Sequence, residues 1–416
     1  MIKVSESKTV VTGQQIGLLG GPLYTTYKVL GAIFLADKIN GEAVYWLETN
    51  DADFNEINHI DYLDAQGQLR TLTWDIDSQG YSCGFIEIDN SLKEILQTFF
   101  STIRQTEFTP GLKDMVLDCY TPGRTLGEAS HMLAEELFGQ YDIRIFTPFE
   151  KDFRKFSQEI LLKEAERTPD GEQCNCFCTL GKQRKTIFRK GGKYQLRDGT
   201  IVDVSKHDLV PNVRTRSVCQ DAYFNTHTYI AGPGEVKYLP ELGPVFQFYD
   251  VKPAAVKQRM SIYLLEPRVQ RLMKRTGLSL DQIVESSRED LIKTALKDKA
   301  SFDFNKILQQ GNDYTEDYLG KLETMGFDAA DIKNLRKLLD VEIKKTTGKL
   351  RAVEKEKHQQ LLADAGSLSD NLKPLGKKQD RVFNIFYYMN LFGGIDFIHK
   401  IYKNYDPDRK ILEIKP

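Results

Sequence analysis

Residues 12–28 read TGQQIGLLGGPLYTTYK, and the fold turns on this stretch. Before it, the apolar run Thr9-Val10-Val11 has the make-up of a buried strand. Within it, glycines at 13, 17, 20 and 21 allow sharp turning and close approach of a ligand to the main chain. Pro22 suits the first position of a helix, where its missing N–H is not needed. Leu23, Tyr27, Leu30 and Phe34 then recur at helical spacing, and Asn40-Gly41 stops the pattern. Ala43-Val44-Tyr45-Trp46-Leu47 is a second strand. The expectation is a strand–loop–helix–strand unit with its glycine-rich loop at the helix N-terminus.

Such a loop offers unpaired N–H groups and the positive end of a helix dipole, which favour a phosphate or carboxylate. Thr12 and Gly13 close the strand, and Gly20 and Gly21 precede the helix. Gln14 and Gln15 add amide donors and acceptors, while Tyr24 and Lys28, four apart, share a helix face. Lys28 lies too deep in the helix to act as a phosphate-loop lysine. The stretch is neither G-x-x-x-x-G-K-[ST] nor G-x-G-x-x-G. A ligand cradle and a plain tight connection both remain open, although α/β sheets commonly bind ligands at this position.

The bulk properties narrow the class. Lysine and arginine total 57 against 59 aspartates and glutamates, a net charge of −2, so nothing global points to nucleic acid or an anionic membrane. At 416 residues the chain is long enough for roughly two or three domains. MIKVSESKTVV at the start has no apolar signal core, and no apolar run of about 18 residues occurs anywhere. The six cysteines are sparse and read as reduced thiols, which fits a cytoplasmic protein.

Past the second strand, residues 48–56 read ETNDADFNE. Polar residues this dense, at the carboxyl end of a parallel strand, sit where open α/β sheets take ligands. Asp51, Asp53 and Glu56 could orient an amine or hold magnesium, or the segment is a solvated loop with a cap. Residues 57–76 read as a hairpin turned at 64–67, and helices follow at about 91–103, 126–138 and 150–166. Cys174, Cys176 and Cys178 alternate, so in a strand they share one face. An extended C-x-C-x-C does not readily wrap a tetrahedral ion, and the three read as half-buried strand residues within a β-rich insertion at about 168–205.

A second dense region runs from 211 to 268. Residues 226–231, THTYIA, read as a strand that meets Gly232-Pro233-Gly234-Glu235 and then a helical pattern towards Phe248. Gln220 and Asp221 lie just before it, and Tyr229 is in the strand. Arg259 and Arg268, near Ser261 and Glu266, could pair with phosphate or carboxylate, or be structural. His227 is a possible general base or, more plainly, a strand histidine.

From about 278 to 372 glycine and proline thin out. Ile332, Leu335, Leu339, Ile343, Thr346, Leu350, Val353 and Leu361 follow one long helix, and Gly326 separates it from a helix carrying Phe304, Ile307, Leu308, Tyr314, Tyr318 and Leu322. The two form an antiparallel coiled-coil arm of the kind that makes oligomers. From 373 the aromatic stretch at 381–399, RVFNIFYYMNLFGGIDFIH, reads as a helix packing back on the core. The domains expected are 1–277, 278–372 and 373–416.

With these stretches in hand the chain resembles the bacillithiol biosynthesis cysteine-adding enzymes, the BshC family. VTGQQIGLLGGPLYTTYK from Val11, WLETNDADFNEINH from Trp46, SVCQDAYFNTHTYIAGPGEVKY from Ser217, RMSIYLLEPRV from Arg259 and LGKKQDRVFNIFYYMNLFG from Leu375 carry the resemblance, in order and over nearly the whole chain. It implies a Rossmann-like α/β core with a parallel sheet, an inserted antiparallel coiled coil and a homodimer. It also implies a ligase that joins L-cysteine through its carboxyl to the amine of glucosaminyl-malate, with ATP and magnesium expected for activation. The alternatives are a nucleotide-dependent ligase or nucleotidyltransferase for another small amine, and a non-catalytic metabolite-binding dimer.

Gln14, Gln15, Asp51 and Asp53 are the expected catalytic residues, with Trp46, Asn50, Gly232, Gly234 and Glu235 among those lining the site; no residue is assigned to a protein-bound metal. The sequence also departs from the family. The acidic motif, usually E-D-H-D, is Asn50-Asp51-Ala52-Asp53 here, and Phe224-Asn225 replaces the usual leucine and proline. Members usually carry a helical segment before the first strand, whereas this chain starts almost at the strand, and the expectation is that part of a pocket wall or dimer surface is absent or replaced.

Overall fold

The structure, a computed structural model, describes residues 8–297, 299, 301–409 and 411–414. At its centre is a five-stranded sheet in which every pair runs parallel. In chain order its strands are β1 (Val10–Gln15), β2 (Ala43–Glu48), β3 (Ile143–Phe146), β4 (Thr228–Ala231) and β5 (Ala255–Gln258). In space the order is β3-β2-β1-β4-β5. The chain works outward from β1 in one direction and returns to its other side, so the order reverses between β1 and β4. At such a switch point the connections leave on opposite faces and open a crevice at the carboxyl ends of the strands.

β1 and β2 lack polar alternation because helices and loops cover both their faces, and nearly every residue is buried. Helix α1 (Leu23–Ile39) joins them and ends at Asn40, whose left-handed backbone (φ 49°) returns its N–H to the carbonyls of Ala36 and Asp37. Pro22 is the cap of α1 and not its first turn. Trp46, fully buried, packs its ring 4.8 Å from Phe146 and 5.0 Å from Phe153.

Between β2 and β3 come the expected hairpin, His59–Leu63 with Leu69–Thr73, and helices including Leu126–Phe138. Between β3 and β4 lies a separate antiparallel sheet whose longest strands are Gln173–Leu180 and Gln183–Lys190 and whose last is Leu209–Pro211. Cys174, Cys176 and Cys178 are all buried on one face of it. Burial pushes the Cys178 thiol up to about 11, so it is protonated and inert at neutral pH.

The chain divides into two compact units, one of residues up to 264 together with 379–414, the other 265–378. The second is helical. Phe304–Thr324 and Ala329–Lys357 lie side by side, turned through Gly326 at φ +85°, with Arg336 paired to Glu316. The one long helix expected breaks at His358, and Leu361 belongs to the next helix, Gln359–Leu372. Apolar spacing continues across the break, so periodicity alone does not register it. The aromatic tail likewise forms two helices, Ile385–Phe392 and Asp396–Lys403, because Gly393 and Gly394 adopt positive φ between them. Phe383, Phe386, Phe397 and Ile401 join the main apolar core around α1.

Candidate functional site

A crevice of about 630 Å³ occupies the switch point, within the range of about 300–1,000 Å³ usual for small-molecule sites. The end of β1 supplies Gly13, Gln14 and Gln15, and α1 supplies Tyr24 and Lys28. Glu48 and Asp51 come from the end of β2, and Gly232, Gly234 and Glu235 from the turn after β4. Arg259 follows β5, and Arg381 comes from the segment that returns after the second unit. The antiparallel insertion adds Phe177 and Arg184.

Glu235 organises one side. Its carboxylate accepts from Lys28 Nζ at 2.6 Å, from the Gly232 amide at 2.7 Å and from the Tyr229 hydroxyl at 2.7 Å. Arg216 stands 3.7 Å away and donates to Tyr229 Oη at 3.2 Å. Burial raises the pKa of Glu235, but Lys28 and Arg216 outweigh it and hold the acid below the usual carboxylate range. Lys28 also donates to the Gly13 carbonyl at 2.5 Å. It therefore does reach the crevice, because side chains on a helix lean back towards its N-terminus.

Asp51 organises the other side. Gln15 Nε2 donates to its Oδ2, while Arg184 (2.7 Å) and the Ala52 amide (2.7 Å) donate to Oδ1. Burial works to raise its pKa, yet the Gln15 hydrogen bond and Arg184 bring it below the usual value. Gln14 Nε2 donates to Tyr24 Oη at 3.2 Å. Arg259, which stacks over the Tyr24 ring at 5.2 Å, donates through Nη1 to Asp380 at 2.7 Å.

The glycine-rich loop does not cradle an anion with its backbone. The amides of Ile16, Leu18, Gly20, Gly21 and Leu23 donate to the carbonyls of Glu48, Ile57, Gly17, Leu18 and Phe383. Gly20 faces Leu137 and Leu133, and Gly20 and Gly21 are absent from the crevice lining. Cationic side chains take the place of those amides.

Other expected residues are structural. Thr12 donates to the Ile230 carbonyl at 2.9 Å, and Trp46 is core, its Nε1 bonded to Glu48 at 2.9 Å. Asn50 is buried and accepts from Ser82 at 3.1 Å. Asp53 and Glu56 are exposed outside the lining, so of the acidic motif Asp51 alone reaches the crevice. Gln220 donates to Asp221, which in turn accepts from the Ala254 amide at 2.9 Å and is pushed up in pKa by burial. Tyr229 lies beneath Glu235, and Ser261 donates to Asp380 at 2.9 Å. Glu266 and Arg268 fall in the second unit. His227 is exposed, bonded to Thr228.

Arg216, Arg184, Arg381 and Glu48 escaped sequence reasoning. Arg216 had a faint signal: Asn212 and Thr215 form a capping box that sets it in the first turn of the helix Val213–Phe224. Arg184 carried none, being one of several basic residues in its strand.

Family models match the chain almost end to end. The "Bacillithiol biosynthesis BshC, N-terminal Rossmann-like domain" matches residues 1–173 and 164–260, and the "C-terminal coiled-coil domain" of BshC matches 262–411. The chain belongs to the BshC family. A relative from Chlorobaculum tepidum, named "Putative cysteine ligase BshC", is 26% identical over 466 aligned residues, covering 97% of this chain and 82% of the relative. A Bacillus licheniformis protein of the same name is 24% identical, covering 95% and 82%. A solved structure titled as a putative arginyl-tRNA synthetase from Campylobacter jejuni overlaps 91% of this chain and 94% of its own at 10% identity, but a TM-score of 0.29 is too low to bear on the fold. The BshC coiled-coil model includes residues 379–411, which here pack within the first compact unit.

Proposed function

We propose that this protein is a ligase that joins the carboxyl of L-cysteine to the amine of glucosaminyl-malate, the last step of bacillithiol synthesis. ATP with magnesium activates the acid, and the protein works in the cytoplasm as a homodimer through its helical unit, without nucleic acid or membrane. The observation that carries this reading is the crevice of a BshC-family chain, where five cations meet three carboxylates at the switch point of the sheet. No described helix is long and apolar enough to cross a membrane.

A carboxylate is a poor electrophile at neutral pH. Its oxygen attacks a phosphorus of ATP, which expels pyrophosphate or ADP and leaves an acyl adenylate or acyl phosphate. The amine nitrogen then attacks the carbonyl carbon, AMP or phosphate departs, and the nitrogen releases a proton. Lys28 and Arg216 stabilise charge developing on phosphate, and Gln14 and Gln15 orient the carboxyl. Asp51 receives the amine: Oδ2 accepts one hydrogen bond, from Gln15, and keeps a free lone pair. Holding both reactants in one crevice accounts for much of the rate. Magnesium, where it takes part, would supply charge neutralisation on the nucleotide's phosphates.

The test is mass spectrometry of purified protein with cysteine and glucosaminyl-malate, with and without ATP and magnesium. The amide mass is expected only with ATP, and AMP or ADP identifies the bond cleaved. Folded protein that makes no amide under either condition refutes the reading. Because Asn50 and Ala52 replace family residues beside Asp51, a screen of other small amines tests the second reading, a related ligase for a different acceptor.

A further inference from the structure

The segment that carries Asp51 has a second face. Glu48 and Asp51 line the crevice, whereas Thr49 between them lines a separate hollow of about 590 Å³. Its other walls are Phe85 and Phe149, whose rings lie 4.4 Å apart, Met132, which is 39% exposed, and the first turn of the helix Leu126–Phe138. Glycine brings these parts together. A side-chain carbon on Gly84 would stand 2.7 Å from the Thr49 carbonyl oxygen, and one on Gly127 would stand 2.8 Å from that of Gly84.

Two polar groups there lack partners. Thr49 is 1% exposed, and its buried Oγ1 makes no hydrogen bond with a described residue. A buried hydroxyl left unpaired is costly and is normally matched by water or a ligand. At the helix start the Leu126 amide donates to Ile86 and the Glu128 amide to Thr125, while the Gly127 amide between them donates to no described residue. Glu128 commits Oε2 to Thr125, whose amide and hydroxyl hold the acid below the usual carboxylate range, and keeps Oε1 free. Arg124 commits Nη1 to the carbonyls of Asp118 and Cys119 and keeps Nη2 free. Arg154 is paired with Asp208, and His131 is the remaining titratable group on the lining.

The hollow therefore sets one free cation and one free carboxylate beside an aromatic floor. A lone anion would meet Glu128 and a lone amine would meet Arg124, whereas a zwitterion satisfies both. We propose that this hollow is an effector site for an α-amino acid with an apolar side chain. The ligand's carboxylate accepts from Thr49, the Gly127 amide and Arg124, its ammonium donates to Glu128, and its side chain packs on Phe85, Phe149 and Met132. Residues 82–84 link the site to the crevice. The Gly84 amide donates to the Thr49 carbonyl at 2.8 Å, the Ser82 hydroxyl to Asn50 at 3.1 Å and the Cys83 amide to the Asp51 carbonyl at 2.6 Å. An occupant that fixes Thr49 fixes the backbone of Asp51; this consequence rests on the ligase reading above, and the site itself does not.

The experiment uses calorimetry on the full-length protein with L-phenylalanine as the probe, and with 3-phenylpropanoate and phenethylamine, which each lack one of its charges. L-Phenylalanine is expected to bind in the millimolar range or tighter, and the other two more weakly. Thr49→Val removes the hydroxyl and keeps the shape, and Glu128→Gln removes the charge on an exposed residue. Each variant weakens L-phenylalanine binding about five- to tenfold, and Glu128→Gln does not weaken 3-phenylpropanoate. In kinetics, saturating L-phenylalanine lowers the KM for the amine substrate roughly fivefold in the parent and leaves it unmoved in Thr49→Val. No binding, equal binding of the three probes, or equal binding by parent and Thr49→Val overturns the site. An unmoved KM in the parent overturns the effector role. Thr49-dependent binding by a protein that makes no amide would refute the ligase reading and leave the site standing.

Discussion

Two turns of the core sheet share a sequence plan and meet opposite fates. After β1, Gly17 to Pro22 leads into α1; after β4, Gly232-Pro233-Gly234 leads into the helix Pro233–Tyr238. The first turn folds on itself. Its amides pair with nearby carbonyls, and Gly20 backs onto leucines. The second opens on the crevice and delivers Glu235, which gathers Lys28, Tyr229 and the Gly232 amide. Glycine next to a helix start is therefore no measure of free N–H groups. What decides is whether neighbouring carbonyls lie within reach, and the packed surroundings set that.

The largest effect expected from breaking this contrast is at Glu235. Glu235→Ala leaves Lys28, 3% exposed, with the Gly13 carbonyl but without its ion-pair partner, which should cost about 3–5 kcal/mol of stability and abolish turnover. Urea denaturation checks it, and an unchanged midpoint would show that the pair holds nothing together. Gly13→Ala comes next. Its new methyl would stand 2.5 Å from Arg216 Nη1, so turnover should fall roughly ten- to a hundredfold through displaced arginine geometry. Steady-state kinetics matching the parent would place Arg216 outside the chemistry.

Gly20→Ala sharpens the comparison from the other side. At φ +78° an alanine is strained by about 1–2 kcal/mol, while the substrate KM values should not move because Gly20 does not line the crevice. A KM shift without loss of stability would return the loop to the site.

The smallest effect is in pH. Glu235 and Asp51 titrate lower in the folded chain than as free acids, so their contribution is complete above about pH 5. It is lost as pH falls through the folded values. Denaturation midpoints should be flat from neutral to mildly acidic pH and decline below that, less steeply in Glu235→Gln. Identical acid limbs for that variant and the parent would remove Glu235 as a contributor.

The strand–helix–strand start, the hairpin, the shared strand face of the three cysteines and the β4 turn were legible because local spacing and turn residues specify them, while the cysteines, read as half-buried, are fully buried. In the site, Gln14, Gln15, Asp51, Glu235 and Arg259 were singled out because they border strand ends, and Lys28 because it shares a helix face with Tyr24. Thr12, Asn50, Asp221 and Ser261 look equally functional in sequence, yet their side chains satisfy buried backbone and polar neighbours. Asp53 and Glu56 point the same lesson outward: a charged residue beside a site is often only solvated.

By itself the sequence determined the parallel α/β core, the helical arm and the family, since apolar periodicity and long ordered motifs are local properties that survive without coordinates. The tertiary structure decided which charges meet. Arg184 lies 133 residues from Asp51, Glu235 lies 207 from Lys28, and Asp380 lies 121 from Arg259. Buried ions must find partners wherever the fold brings them, and no local pattern records a pairing across such distances.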